Sequence, residues 1–402
     1  MDLPLTEIEL AAKRLKNTVH KTKLEKSTTF SNMTNGEIYL KFENQQKTGS
    51  FKIRGASNKI AALVERGELK SVVASSAGNH AQGTAYAAKV HGIPATICMP
   101  KSTPIAKVEA TKGYGANVVL HGDCYDDAYT KALEIVGKEG ATFIHPYDDL
   151  EVMAGQGTIG IEILEDLPTV DVILVPAGGG GLLAGVASCV KQINPRVKVI
   201  GVQAEGAPAV AMSFADKKYV STDYSSTIAD GISVKNPGKQ TIELINKYAD
   251  DVVTVSEAEI SEAILHLIER TKQVVEPAGA TTLAAVLSGK VDVAGKKTVC
   301  VLSGGNIDVS FITRIIELGL SSRGRKIKFR AKLLDIPGSL EHLSHILSEV
   351  NANIIMVQYD RMSKDLDPNE VIIHIACEVG GTEHGKKTVA ALEKNGYTVT
   401  LE

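Results

Sequence analysis

The chain has 402 residues, a formal net charge of -3 and 44% hydrophobic residues, the balance of a globular protein with room for two or three domains. Aromatic residues make up only 4% and Trp is absent, so the sequence offers neither a broad basic surface nor stacking platforms for nucleic acid. The five cysteines are far apart and odd in number, which indicates free thiols in a reducing compartment rather than a disulfide framework or a zinc site.

The N-terminal segment, residues 1–24, predicts an amphipathic helix that leads into a loop. It lacks the apolar core of a signal peptide, and no apolar run in the chain approaches the roughly 20 residues that span a membrane. We therefore expect a cytoplasmic protein with neither a membrane partner nor a nucleic-acid partner.

The segment KTGSFKIRGA, residues 47–56, places Lys52 directly behind a turn of small residues and one aromatic residue, Phe51. An ordinary solvated lysine after a turn fits this pattern, although it requires no such neighbours. A lysine that carries chemistry does require them, because it needs a fixed backbone and a partly desolvated amine. Lys52 is therefore a candidate catalytic residue.

The region from residue 70 to about 320 alternates short apolar runs with helical periods. The helical segments include 127–138 and 260–272, the latter opened by a capping box at Ser256 and Glu259. This alternation predicts an α/β architecture with mostly parallel sheets, whose functional residues follow the carboxyl ends of the strands. The predicted strands are 72–74, 95–99, 118–120, 172–175, 199–202, 252–255 and 299–302.

The loop SSAGNHAQG, residues 75–83, follows a predicted strand and opens a helix. Ser76, Gly78 and Asn79 would offer backbone amides and a side-chain amide to a carboxylate or a phenolic oxygen. His80 fits a catalytic role and also fits a helix residue that is satisfied by local hydrogen bonds.

The loop PAGGGGLLAG, residues 176–185, lies between a strand and an apolar helix. Consecutive glycines let backbone amides converge on an anion, and the helix N-terminus adds its own amides, so a phosphate would fit. A tight structural turn explains the glycines equally well. The run is neither a Walker loop nor a dinucleotide fingerprint.

A third loop, LSGGNI at residues 302–307, places the hydroxyl of Ser303 at a strand end, where a Ser-Gly-Gly turn is the simpler interpretation. A lysine, an anion cradle, a carboxylate-sized pocket and a hydroxyl at expected strand ends together match a lysine-bound pyridoxal phosphate site.

With the further segments TIADGI and VEPAGA, these motifs resemble, in order, those of the pyridoxal-phosphate-dependent serine/threonine dehydratases, over residues 10–320. The resemblance implies fold type II, which is shared with tryptophan synthase β. It also implies a Schiff base between Lys52 and pyridoxal phosphate, and a homodimer or homotetramer. A catalytic domain would span residues 1–322.

The resemblance assigns the remaining site residues. The cofactor phosphate would be held by Gly178, Gly179, Gly180, Gly181 and Leu182. Phe51 would pack near the cofactor ring, Asn79 would bond the ring hydroxyl and Ser303 would face the pyridine nitrogen. The substrate carboxylate would be surrounded by Ser76, Ala77, Asn79 and His80.

The implied reaction is elimination of water from threonine, after which the enamine product tautomerises and is hydrolysed to 2-oxobutanoate and ammonia. Serine would give pyruvate and ammonia in the same way. The freed Lys52 would act as general base, and the neutral hydroxyl of Ser303 would weaken the electron sink, so that prompt loss of the β-hydroxyl is favoured. A serine-preferring dehydratase, an amino-acid racemase and a non-catalytic amino-acid or nucleotide sensor stay open as alternatives. Biosynthetic and catabolic roles stay open as well.

The sequence departs from the family pattern in the loop after residues 199–203, where some relatives bind a divalent cation through acidic side chains. Gln203 and Ala209 stand at the corresponding positions, and Glu205 is the acidic residue present. We therefore expect no metal site there.

The tail, residues 326–402, reads as strand, helix, two strands, helix and strand, the order of a ferredoxin-like unit. Residues 333–354 resemble an ACT domain, the small module that binds amino-acid effectors. An effector carboxylate would dock at Gly338 and Ser339, beside a predicted helix N-terminus, and an effector such as isoleucine or valine would change turnover. A module that only supports subunit contacts is the alternative.

Overall fold

The computed structural model describes residues 1–363 and 366–402, which form two compact units, Met1–Ile307 and Asp308–Glu402. Among the described residues, no helix is long and apolar enough to cross a membrane. The strands of the first unit are Leu24–Lys26 (β1), Glu37–Lys41 (β2), Val72–Ser75 (β3), Ala95–Met99 (β4), Asn117–Leu120 (β5), Thr142–Phe143 (β6), Val172–Pro176 (β7), Lys198–Ala204 (β8), Asp251–Val255 (β9) and Lys297–Val301 (β10).

The strands of the first unit form two sheets. The six-stranded sheet has the order β1-β2-β10-β7-β8-β9, and the four-stranded sheet has the order β5-β4-β3-β6. Every strand pair is parallel except β1 with β2. The predicted α/β architecture with mostly parallel sheets is therefore confirmed for this unit.

The helices of the first unit cover both sheets, as parallel strands require. Predicted helix 127–138 is found within α6, and the capping box at Ser256 and Glu259 opens α11 as expected. The helices are Leu5–Leu15 (α1), Thr28–Thr34 (α2), Lys52–Glu65 (α3), Asn79–Val90 (α4), Ile105–Gly113 (α5), Tyr125–Glu139 (α6), Leu150–Asp166 (α7), Gly181–Ile193 (α8), Ala209–Ala215 (α9), Lys239–Tyr248 (α10), Glu257–His266 (α11) and Pro277–Leu287 (α12).

Helices α7 and α8 approach each other through glycine. A Cβ atom on Gly157 would lie 2.8 Å from the carbonyl oxygen of Gly185, and one on Gly185 would overlap the carbonyl of Met153. Side chains at either position would push the helices apart. This contact fixes the direction of α8, whose N-terminus follows the four-glycine loop.

Three loops at the carboxyl ends of parallel strands carry the predicted site. The loop after β3 leads into α4, the loop after β7 leads into α8, and the segment after β10 packs on the turn before α3. Ser50 and Gly304 form an isolated antiparallel bridge, and the amide of Phe51 donates to the carbonyl of Ser303 at 3.0 Å. The chain segments before Lys52 and after β10 are therefore held together by backbone hydrogen bonds.

The second unit contains an antiparallel sheet. Its strands are Lys326–Leu334 (β11), Asn353–Asp360 (β12), Glu370–Glu378 (β13) and Val399–Leu401 (β14), and its helices are Val309–Ser322 (α13), Ser339–Glu349 (α14) and Thr382–Lys394 (α15). The sheet has the order β12-β13-β11-β14. From β11 onward the predicted order of strands and helices is observed, with a core of apolar residues that includes Phe329, Leu343 and Ile375.

Candidate active site

Lys52 begins helix α3 and projects a partly buried side chain. Its Nζ donates to the carbonyl oxygen of Pro146 at 2.9 Å and lies 5.2 Å from the centre of the Phe51 ring. Burial lowers the pKa of Lys52 to about 8, although the negative charge of Glu276 acts in the opposite direction. A neutral amine is therefore accessible near neutral pH, as a nucleophilic or basic lysine requires.

The four-glycine loop forms a cradle of backbone amides. Ala177 donates to Val202 and Ala184 donates to Gly180, but the amides of residues 178–183 have no hydrogen-bond acceptor among the described residues. Most of this segment is buried, and buried amides without partners are rare unless a ligand supplies the acceptor. Gly180 has φ +95°, which favours glycine and lets the amides turn toward one point.

Tyr147 closes one side of the cradle. A Cβ atom on Gly179 would overlap the Tyr147 ring, and one on Gly181 would lie 2.8 Å from the Tyr147 carbonyl oxygen. The Tyr147 hydroxyl donates to the carbonyl of Asn236 at 2.9 Å, and burial raises the pKa of the phenol, which keeps it neutral. Because Tyr147 follows Pro146, the glycine loop and the Lys52 amine contact consecutive residues.

The side chain of Asn79 is held by two residues that sequence reasoning did not single out. Its Nδ2 donates to Oε1 and Oε2 of Glu276 at 2.8 and 3.0 Å, and its Oδ1 accepts from Nδ2 of Asn306 at 2.7 Å. Burial raises the pKa of Glu276 to about 7, although the hydrogen bond from Asn79 and the charges of Lys107 and Lys52 oppose this rise. Glu276 is thus a titratable group within the site.

Two signals in the sequence could have identified Glu276. It lies in the segment VEPAGA, one of the motifs that carry the family resemblance, and its apolar neighbours indicate a buried carboxylate, which is rare for glutamate. The structure makes it the residue before α12, and it is only 8% exposed. A Cβ atom on Gly304 would overlap its carboxylate, so Glu276 also contacts the segment that follows β10.

Ser303 is 2% exposed and lies beside Phe51, whose amide bonds its carbonyl oxygen. The predicted cofactor residues Lys52, Phe51 and Ser303 are therefore neighbours. Asn79 joins them through Asn306, whose Nδ2 also donates to the carbonyl of Thr48 at 2.8 Å.

The predicted substrate residues lie at the start of helix α4. Ser76 accepts a hydrogen bond from the amide of Gly78 at 3.2 Å, and Ala77 lies in the same loop. The ring of His80 is 3% exposed and its Nε2 bonds the carbonyl of Ile144 at 2.8 Å. Burial and the charge of Lys52 lower the pKa of His80 to about 3, so the ring is neutral. The ring is thus satisfied by a hydrogen bond, but its partner lies 64 residues along the chain, whereas the simpler interpretation assumed a local partner.

At the loop after β8, Gln203 is fully buried, and its Oε1 accepts from the amide of Ala211 at 2.8 Å. Glu205 lies 3.8 Å from the ammonium of Lys290. Within residues 1–363 and 366–402, no cluster of three metal-ligating side chains is found.

In the second unit, Gly338 precedes helix α14 with φ +94° and Ser339 is the first residue of that helix. A Cβ atom on Gly338 would meet no atom within 4 Å. The predicted effector residues thus border an open helix N-terminus.

Comparison with known proteins supports the chemistry of this site. The family described as pyridoxal-phosphate dependent enzymes matches residues 15–304. The chain is 49% identical to the L-threonine ammonia-lyase of Thermotoga maritima, over 99% of both chains. It is 50% identical to the catabolic L-threonine dehydratase of Escherichia coli, over 78% of this chain and 97% of that relative.

Two solved structures are similar to about four fifths of the chain. Maize serine racemase has a TM-score of 0.75 and 35% identity, over 80% of this chain and 99% of the racemase. Threonine deaminase isoform 2 of Solanum lycopersicum has a TM-score of 0.75 and 35% identity, over 78% of this chain and 93% of the deaminase.

Proposed function

The chain belongs to the family of pyridoxal-phosphate-dependent enzymes, and on this premise we propose that it converts L-threonine to 2-oxobutanoate and ammonia by β-elimination. L-Serine is a second substrate and gives pyruvate. The proposal depends on one observation. The desolvated amine of Lys52 contacts Pro146, and the glycine loop, whose buried amides have no acceptor among the described residues, contacts the next residue, Tyr147. The full-length likeness to a threonine ammonia-lyase supports threonine as the substrate.

The residues present fit pyridoxal phosphate, because buried amides without acceptors at a helix N-terminus suit a phosphate dianion. The phosphate group would be held by Gly178, Gly179, Gly180, Gly181 and Leu182. Lys52 would hold the cofactor covalently, Phe51 would pack against its ring, Asn79 would bond its ring oxygen and Ser303 would face its ring nitrogen. When bound, the cofactor supplies an electron sink next to the substrate Cα.

Lys52 is the residue that accepts the proton from the substrate Cα in this mechanism. Its depressed pKa keeps part of the amine neutral, and the carbonyl of Pro146 orients the amine. A released Lys52 amine removes the Cα proton of the substrate as general base. Ser303 offers a hydroxyl and no charge, which favours prompt loss of the β-hydroxyl.

The start of helix α4 binds the substrate carboxylate. Amides of Ala77, Asn79 and His80 lie at the positive end of the helix. The amide of Ser76 already donates to the carbonyl of Cys98 at 3.2 Å, so Ser76 would contribute its hydroxyl rather than its amide. The buried neutral ring of His80 braces this turn through Ile144 and adds no charge to the site.

The function is tested by measuring the 2-oxo acid and ammonia released by the cofactor-loaded protein from threonine and from serine. We expect 2-oxobutanoate from threonine. Release of inverted amino acid without oxo acid would instead favour a racemase, the activity named for the similar maize structure. A protein that binds threonine without converting it would favour the sensor alternative.

Glu276 should link the stability of the cofactor-free protein to pH. The pKa of Glu276 in the folded state, about 7, lies above the ordinary 4.5, so the folded state binds this proton more tightly than the unfolded state does. The resulting stabilisation is complete at pH values below 4.5 and is lost as the pH rises through about 7. Over this range we expect the free energy of unfolding to fall by about 3 kcal/mol more than in Glu276→Gln.

Denaturation of both cofactor-free proteins at the two ends of this range measures the difference. Three charged groups act on Glu276, namely Lys52, Lys107 and Asp230. The pKa of Lys52 is about 8, so Lys52 titrates above the range from 4.5 to about 7 in which Glu276 is tested. Parallel stability curves for wild type and Glu276→Gln would contradict the assignment.

We further propose that the second unit is an ACT domain that controls the activity. Its strand and helix order and the open N-terminus of α14 at Gly338 support this proposal. On this assignment, residues 1–322 are catalytic and residues 326–402 are regulatory. The cytoplasmic location stays a prediction, and it agrees with free cysteines, of which Cys98, Cys189, Cys300 and Cys377 are buried.

The effector proposal predicts a selective effect of Gly338→Asp. A carboxylate there would repel the effector carboxylate, so the concentration of isoleucine or valine that gives half of the change in turnover should rise by about tenfold. Gly396→Asp is the matched control, because Gly396 also has a positive φ and open space at its Cβ. Equal responses in the two variants would rule out this binding position.

Strand β12 supports a homo-oligomer. It lies at the edge of its sheet and exposes Ile355, Met356, Val357 and Tyr359, each about 40% accessible. Its one charged residue, Asp360, stands at the end of the strand, so a second copy can pair antiparallel without bringing like charges together.

We expect Val357→Lys to lower the solution mass by opposing this pairing. Leu401→Lys, on the opposite edge strand, is the control and should keep the mass of the wild type. Sedimentation of both variants is the measurement. A wild-type protein that is monomeric at all concentrations would exclude the homo-oligomer.

A further inference from the structure

Glu276 and Asn306 bind opposite ends of one amide side chain, that of Asn79. Nδ2 of Asn79 faces both carboxylate oxygens of Glu276, and its Oδ1 receives the N–H of Asn306. Glu276 lies on the buried side of the amide, whereas Asn306 lies on the accessible side. The amide is therefore held from two directions by residues of different loops.

The orientation of this amide follows from the chemistry of its partners. The carbonyl of Thr48 can only accept, so the group of Asn306 that contacts it at 2.8 Å must be the N–H₂ group. The same N–H₂ group then donates to Asn79, which must present its oxygen. Once ionised, the carboxylate of Glu276 also only accepts, and its two oxygens lie 2.8 and 3.0 Å from the N–H₂ group of Asn79. Both ends of the chain of hydrogen bonds select the same orientation.

Asn306 also relates Asn79 to the lysine. The amide of Gly305 donates to the carbonyl of Gly49 at 2.9 Å, and a Cβ atom on Gly49 would overlap the Asn306 amide. Asn306 is thereby fixed to the turn that precedes Lys52. A small-residue turn is needed there because the Asn306 side chain occupies the space beside it.

We propose that Glu276 and Asn306 are positioning residues that fix the Asn79 amide, so that its N–H₂ group can donate to the ring oxygen of the cofactor. This inference deepens the proposed function and rests on the role of Asn79 in it. An Asn79 amide rotated by half a turn would present an acceptor to that oxygen and would weaken the binding of the cofactor. The pair acts on the cofactor chiefly through Asn79, and the charge of Glu276 acts in addition on the amine of Lys52.

The test is a double-mutant cycle with cofactor affinity as the readout. Pyridoxal phosphate is titrated into the cofactor-free wild type, Glu276→Ala, Asn79→Ala and the double variant, and the Kd is followed by absorbance. We expect Glu276→Ala to raise the Kd about tenfold in the wild-type background and by about twofold or less in the Asn79→Ala background, where only the action of its charge on Lys52 is lost. Glu276→Gln, which keeps an acceptor oxygen, should bind the cofactor nearly as the wild type does.

Two results would overturn the inference. One is a rise of about twofold or less for Glu276→Ala in the wild-type background, and the other is an equal rise in both backgrounds, which indicates a merely structural role. If Glu276→Ala does not fold, Asn306→Ala on the accessible side of the amide is judged by the same criteria. A wild type that takes up no cofactor would refute the proposed function itself, whereas normal uptake by all variants would refute only this pair.

Discussion

Lys52→Ala is expected to lower the turnover of threonine by at least about 10³-fold, because the general base and the covalent attachment of the cofactor are lost together. The fold should persist. Lys52 bonds one carbonyl, that of Pro146, and the carboxylate of Glu276, which its charge favours, keeps both hydrogen bonds from Asn79 when Lys52 is removed. The measurement is the rate of 2-oxobutanoate release at saturating threonine, with the cofactor supplied in excess.

Lys47→Ala is the matched control for this experiment. Lys47 belongs to the same segment, but its Nζ lies 3.5 Å from the carbonyl of Asn17 and 5.8 Å from the centre of the Tyr86 ring, so its variant should keep turnover close to that of the wild type. A second readout is borohydride reduction, which should fix the cofactor to the wild-type chain and not to Lys52→Ala. Wild-type turnover in Lys52→Ala would refute the mechanism.

Arg54→Met should lower the free energy of unfolding more than any other substitution proposed for this protein. Arg54 is 1% exposed, bonds both oxygens of Glu43 at 2.8 Å and bonds Glu162 at 2.6 and 3.0 Å. Lys41, also fully buried, shares Glu162 at 2.6 Å. Removal of one partner from such a cluster leaves a buried charge uncompensated, so we expect the free energy of unfolding to fall by about 3–5 kcal/mol.

Arg54→Met should also change how the free energy of unfolding depends on pH. Burial alone would raise the pKa of Glu43, but the charge and hydrogen bonds of Arg54 hold the pKa below its ordinary value. In the wild type this carboxylate stabilises the fold above its unfolded pKa, and the contribution is lost as the pH falls. Arg54→Met removes that contribution, so the variant should lose less stability on acidification than the wild type does.

Arg66→Met is the control for Arg54→Met. Arg66 pairs with Glu68 and Glu151 on the surface and is 41% exposed, so its loss should cost at most about 1 kcal/mol. Denaturant unfolding of the three cofactor-free proteins makes the comparison. Equal stability of the two variants would show that the buried cluster contributes no more than a surface pair does.

The buried cluster also bears on the site. Arg54 lies two residues after Lys52 at the start of α3, and its hydrogen bonds attach that helix to α7 through Glu162 and Thr158. Helix α7 in turn contacts α8 through Gly157 and Gly185. The lysine and the glycine loop are therefore carried by helices that are joined in the core.

Several features were determined by the sequence itself. Alternating apolar runs located the parallel strands β3, β4, β7 and β8 and placed the functional loops at their carboxyl ends. Strands β1 and β6 were missed because they have only three and two residues. Strand β2 was missed because Lys41 does not resemble a buried strand residue until Glu162 is placed beside it.

Other features were decided only by the tertiary structure. The sequence indicated Lys52 and Asn79, but their protonation and orientation depend on Glu276 and Asn306, which lie roughly 200 residues or more away along the chain. A pattern in the sequence reports which residues follow a strand, since that is a local property. Burial, a shifted pKa and the direction of an amide arise from contacts between distant segments, and only the folded chain brings these together.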